Sequence, residues 1–145
     1  MKRPQRLQPL HDLAGQTERD CSIRLVETER RITEGEQRYQ DLLRYRSEYE
    51  QAFQTRARSG APMRGLREQQ IFIARLSEAL RAQQVLLEQL HGERSRARAH
   101  WRAAATRKQI VGKVIERART EELMKDEQRQ QRDADELSSQ RQVRR

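Results

Sequence analysis

A seven-residue repeat decides most of what this chain can become. Stepping alternately by three and four residues gives Leu66, Gln69, Ile73, Leu76, Leu80, Gln83, Leu87, Leu90, Arg94, Ala97, Trp101, Ala104, Lys108, Val111, Ile115 and Ala118, and twelve of these sixteen are apolar. An α-helix with that spacing keeps one narrow apolar stripe facing a partner helix. Held over so many heptads, the stripe is a coiled-coil seam and not the broad face of a globular helix. The residues between are mostly Arg, Glu, Gln and Ala, all good helix formers.

The first half carries the repeat less cleanly. Leu7, Leu10, Ala14, Thr17 and Cys21 follow it, and the phase then slips at Leu25. It resumes through Thr28, Ile32, Gly35, Tyr39, Leu42, Arg46, Tyr49 and Phe53. The extra four-residue step is expected to act as a stutter that locally unwinds the supercoil. Gly35 at a seam position is expected to be a weak point, by about 1 kcal/mol relative to Ala.

Ser59-Gly60-Ala61-Pro62-Met63-Arg64-Gly65 lies between the two patterns and breaks both helices. A short connection sets two long helices side by side and antiparallel. The expected fold is all-α: one coiled-coil hairpin over residues 1–145, with helix one at 6–57, a turn at 58–65, helix two at 66–137 and a basic tail at 138–145. At about 1.5 Å per residue the helices span roughly 75 Å and roughly 105 Å, so the second overhangs the first. Folding about the turn pairs residues whose numbers total about 123. This sets Tyr49 near Ile73, Leu42 near Leu80, Ile32 near Leu90, Cys21 opposite Trp101, and Leu10 opposite Val111 and Gly112. A parallel dimer of one long helix would leave the Gly-Ala-Pro segment unexplained.

Composition agrees. Of 145 residues, 34% are hydrophobic and 37% charged, too little apolar material for an ordinary globular core. With three prolines, at 4, 9 and 62, and six scattered glycines, sandwiches, barrels and βαβ folds lack the turns they need. The longest apolar run, Ile71-Phe72-Ile73-Ala74, is far short of the ~20 residues that cross a bilayer. No apolar stretch follows the first residues, so a secretory signal is not expected. One cysteine, Cys21, excludes an internal disulfide and reads as a small buried thiol, and Trp101 reads as a large knob in the seam. A cytoplasmic location is expected.

Catalytic chemistry is not visible. His11, His91 and His100 are far apart, and no Cys-His spacing suggests a metal. There is no phosphate-binding glycine loop and no nucleophile motif. The chain is expected not to be an enzyme and to need no cofactor. Function then comes from surfaces. Five of the six aromatic residues lie between Tyr39 and Phe72, more than a two-helix seam needs, and exposed aromatics anchor protein interfaces. From Arg94 to Arg119 nine residues are basic and one, Glu116, is acidic, a local charge of +8. From Glu121 to Glu136 seven are acidic and three basic, a local charge of −4. The overall charge of +9 would suit nucleic acid, but the acidic block repels phosphate and no groove-reading module is present, so nucleic acid is not the expected partner.

Leu42-Leu43-Arg44-Tyr45-Arg46-Ser47-Glu48-Tyr49 before the turn, Phe72-Ile73 followed by Leu76 and Ala79 after it, and Trp101-Arg102 farther on resemble the FliJ family of flagellar type III export proteins. The resemblance covers essentially the whole chain. It implies an antiparallel coiled coil similar to the central stalk (gamma) subunit of rotary ATPases, seated in the hexameric flagellar export ATPase and promoting its assembly and hydrolysis. It also implies contact with the cytoplasmic part of the export gate or its linker, and export chaperones as further partners. The site would be cytoplasmic, peripherally associated with the inner membrane at the flagellar base through partner proteins. In the family the gate-binding surface lies near the turn, and Leu42, Tyr45, Tyr49, Phe72, Leu76 and Ala79 match it here, while Arg38 and Gln83 depart from its pattern. The ring contact is assigned by shape and charge, with no matched motif, to Arg94, Arg96, Arg98, Arg102, Arg107, Lys108, Lys113, Arg117 and Arg119. A chaperone escort or scaffold adaptor, or the equivalent injectisome stalk, are the alternatives that this resemblance leaves open.

Overall fold

The computed structural model describes residues 1–144. Its described residues form two α-helices and no strand: α1, Arg3–Arg58, and α2, Met63–Val143. Both run farther than the sequence suggests. α1 starts ahead of Pro4 and carries Pro9 inside it. Pro9 is exposed, so the carbonyl that its missing N–H leaves free can turn to water. α2 continues through 138–143, where a non-helical basic tail was expected, because that segment holds neither Gly nor Pro.

The connection is only 59–62, and Gly65 belongs to the first turn of α2. Gly60 takes φ +80°, a left-handed conformation that Gly adopts without steric cost. The Ala61 N–H donates to the Arg56 carbonyl at 3.1 Å, five residues back, and the Ser59 hydroxyl donates to the same carbonyl at 3.0 Å. This is a Schellman-type end, which satisfies carbonyls that the last turn would leave free. Arg56 and Arg58 place positive charge against the negative end of the helix dipole. Pro62 then directs the chain into α2.

By contacts the chain divides into two compact units, 1–21 with 101–145, and 22–100. In each, α1 packs against α2 antiparallel. In the unit 22–100, Tyr39 meets Gln84 and Arg46 meets Ser77, and the residue numbers of each pair total 123. In the unit formed by the two chain ends, a side chain built at Gly112 would touch His11 and one at Gly15 would touch Lys108, again totalling 123. The register expected from the turn therefore holds within both.

All sixteen seam positions from Leu66 to Ala118 are buried or half-buried. Leu80, Leu90, Ile115 and Ala118 are the most enclosed, Leu90 at 2% exposure. α1 departs from the expected phase. Its inward positions are Leu7, His11, Ala14, Glu18, Cys21, Leu25, Thr28, Ile32, Gly35, Tyr39, Leu42, Arg46 and Phe53. From Leu7 to Arg46 this spacing is a regular three-four repeat with no slip at Leu25, so there is no stutter; the next expected seam position, Tyr49, is exposed, and the seam resumes at Phe53. Leu10, at 54% exposure, and Thr17 lie outside; His11 and Glu18 take their places in the seam. Leu10 therefore does not face Val111 and Gly112; His11 approaches Gly112 instead. Choosing the apolar neighbour at each step produces a slip that the helix does not make.

Most polar seam residues find a partner, and the buried Gln69 Oε1 is the exception among the described residues, with no hydrogen-bond donor. The Trp101 indole N–H donates to Glu18 Oε1 at 3.1 Å, and Lys108 Nζ lies 4.0 Å from Glu18 Oε2. The buried Thr28 hydroxyl donates to the Arg24 carbonyl at 2.9 Å. Gln83, buried, donates from Nε2 to the Gly35 carbonyl at 3.1 Å. On the α1 surface, Arg30 bridges Glu27 and Glu34, and its hydrogen bond is the main cause that holds the Glu27 carboxyl below the usual carboxylate range.

Candidate functional site

Two surfaces stand apart from the packing just described. The first lies in the unit 22–100. Tyr45, Tyr49 and Phe72 leave 46%, 40% and 41% of their surface exposed although they flank the seam. Tyr49 and Phe72 stack across the helices with ring centroids 4.6 Å apart and a tilt of 51°. The Arg44 guanidinium sits 5.8 Å over the Tyr45 ring. Leu42 and Ala79 are half-buried at the edge of this patch, and Leu76 is buried beneath it. Of the six residues matched in the sequence, three thus present aromatic faces, two border them and one supports them from the core. A patch of rigid, half-exposed rings orders few new rotamers on binding, and this is what an interface anchor requires.

Ile71, at 48% exposure and adjacent to Phe72, also lies in the open. Sequence reasoning missed it because it reads as part of an apolar run entering the seam. Of the two departing positions, Arg38 is exposed, while Gln83 points inward to Gly35 and is a packing residue.

The second surface is the basic face of α2. Arg94, Arg96 and Arg98 fall in the unit 22–100. Arg94 is half-buried and contacts His91 Nδ1 at 3.0 Å, and Arg98 lies 3.6 Å from Glu29. The other six fall in the unit formed by the chain ends. Arg119 donates to Gln8 at 3.4 Å, and Lys108 is half-buried beside Glu18, so these two are engaged inside their own unit. Arg102, Arg107, Lys113 and Arg117 are exposed, and among the described residues no carboxylate lies within ion-pair distance of them. Unpaired surface cations of this kind are available to an acidic partner.

His11, Glu18, Lys108 and Gly112 also line an open groove in that unit. Among the described residues no group of three or more His, Cys, Asp or Glu side chains is placed to hold a metal ion. Among the described residues no helix is long and apolar enough to cross a membrane.

Neither the curated proteins nor the solved structures give a match. A family model described as flagellar FliJ protein matches residues 1–145, the full chain. The chain therefore belongs to the FliJ family, whose members are components of the flagellar export apparatus.

Proposed function

We propose that this chain is the central stalk of the flagellar export apparatus: it binds the hexameric export ATPase ring, promotes ring assembly and hydrolysis, and links the ring to the export gate. A two-helix seam presents side chains to partners but offers no enclosed site in which to exclude water from a reaction. It acts through what it touches. The protein works in the cytoplasm, held at the inner membrane at the flagellar base by its partners.

The supporting observation is the set of unpaired cations on α2. Arg102 and Arg107 are exposed, share a unit, and have no carboxylate within ion-pair distance among the described residues. They suit acidic loops lining a ring. The aromatic patch of Tyr45, Tyr49 and Phe72 suits the gate contact, being exposed and largely apolar, with the Arg44 guanidinium over one ring. Export chaperones are further partners compatible with either surface.

The experiment is the hydrolysis rate of the cognate export ATPase with and without the protein, alongside its assembly state by size-exclusion chromatography. Stimulated hydrolysis with a shift toward the hexamer is expected. Arg102→Glu combined with Arg107→Glu is expected to lose both effects while keeping full helical content, since neither side chain touches the seam. Unchanged stimulation by the charge-reversed protein would remove the ring assignment. No stimulation by the wild-type chain would favour an adaptor instead.

A further inference from the structure

The lateral face of α2 in the unit formed by the chain ends carries a second stripe. Ala103, Ile110, Val114, Arg117, Glu121 and Met124 are all exposed. Their spacing of seven, four, three, four and three residues keeps them on one side of the helix, flanking the seam. Ile110 and Met124 each leave 56% of their surface in water and Val114 leaves 37%. Ile110 and Met124 are thus the most open of the three, while Val114 is partly covered and Glu121 reaches Arg3 of α1. Exposed aliphatic side chains repeating at coiled-coil spacing mark a face built to meet another helix.

The charge along the same helix selects the partner. The stretch 94–119 carries +8 and the stretch 121–136 carries −4. Two copies of α2 laid antiparallel about a two-fold axis at residue 119 bring each basic stretch against the other copy's acidic one. Laid parallel and in register, like charge would meet like. The antiparallel register pairs residues whose numbers total 238. Val114 then meets Met124 of the second copy, and Arg117 meets Glu121 of the second copy. By symmetry each pair occurs twice. Arg117 has no intramolecular ion pair among the described residues, and Glu121 is held only by a half-exposed contact of 3.7 Å with Arg3.

We propose that the chain self-associates as an antiparallel two-fold dimer through this lateral stripe of α2, with reciprocal Arg117–Glu121 pairs beside the two-fold axis and Val114 against Met124 flanking them on either side. The interface is charge-steered and small, so the dimer is reversible and weakened by salt. It covers Arg117, one of the cations of the basic face.

Sedimentation equilibrium of the full chain over a salt series tests this without any ATPase present, so its failure leaves the stalk reading standing. A monomer–dimer equilibrium that shifts to monomer as salt rises is expected. Arg117→Glu alone places acid against acid, and Glu121→Arg alone places base against base, so each variant should sediment as a monomer. Mixing the two variants makes every cross-pair attractive and should restore a dimer containing one of each. Circular dichroism of each variant checks that helical content is unchanged. A monomer under all conditions, a dimer indifferent to both reversals, or open-ended assembly beyond two copies would each overturn the proposal.

Discussion

Replacing Gly35 by Ala separates the packing argument from helix propensity. In an exposed helix interior, Gly→Ala stabilises by about 0.5–1 kcal/mol because Gly loses more backbone entropy on folding. At Gly35 a Cβ would stand 2.9 Å from Leu87 Cδ2 and 3.2 Å from Gln83 Nε2. The leucine methyl must shift within a packed seam, and the Gln83 amide must give by a few tenths of an ångström, which stretches its 3.1 Å hydrogen bond to the Gly35 carbonyl. Overpacking of this kind costs about 1–3 kcal/mol. The two terms have opposite sign and the second is larger, so Gly35→Ala should destabilise by about 1–2 kcal/mol. The control is Gly92→Ala, where the nearest foreign atom is the flexible end of Arg96 at 3.6 Å, and where stabilisation is expected. Urea unfolding followed by far-ultraviolet circular dichroism gives both values. If Gly35→Ala stabilises as Gly92→Ala does, the close approach is not a constraint, and the site is the weak point that propensity alone suggests. Adding Gln83→Ala to Gly35→Ala should recover part of the loss, because the Cβ then has no amide to displace.

Two further outcomes follow from the burial pattern. Leu10→Gln should change stability by less than about 0.5 kcal/mol, since Leu10 is exposed, whereas Leu90→Ala should cost about 2–5 kcal/mol; equal losses in urea unfolding would restore Leu10 to the seam. Tyr45→Ala with Tyr49→Ala should leave ATPase stimulation intact and reduce swimming in soft agar, because these rings are exposed and lie in a different unit from Arg102 and Arg107; normal swimming would reduce the patch to a packed edge.

The fold was legible because it rests on spacing. The apolar repeat of α2 is dense enough that every position from Leu66 to Ala118 faces inward as read. The turn was legible because Gly60 and Pro62 each do something no other residue does as cheaply. α1 was harder for a physical reason. Its seam holds His11 and Glu18 beside exposed Leu10 and Thr17, and hydrophobicity alone favours the wrong member of each pair. What seats Glu18 inside is the Trp101 indole and the Lys108 ammonium on α2, sixty or more positions away in the chain. The same limit applied to Gly35: the sequence reveals a glycine, but only the opposing Gln83 and Leu87 reveal why nothing larger fits.

The candidate surfaces divide along the same line. Aromatic enrichment pointed to Tyr45, Tyr49 and Phe72, and all three are exposed, yet Leu76 from the same motif is buried. A motif follows the chain and a surface follows the helix face, so one motif supplies both contact and support residues. The nine cations behave likewise. Charge counting treats them as one stretch, whereas geometry engages Lys108 and Arg119 inside their unit and leaves Arg102, Arg107, Lys113 and Arg117 unpaired among the described residues. Reversing an engaged cation would disturb the seam and blur any binding result. Reversing an unpaired one changes only the field presented to a partner. The discriminating variants are therefore those with the fewest contacts in the free protein, and counting charge along the sequence cannot pick them out.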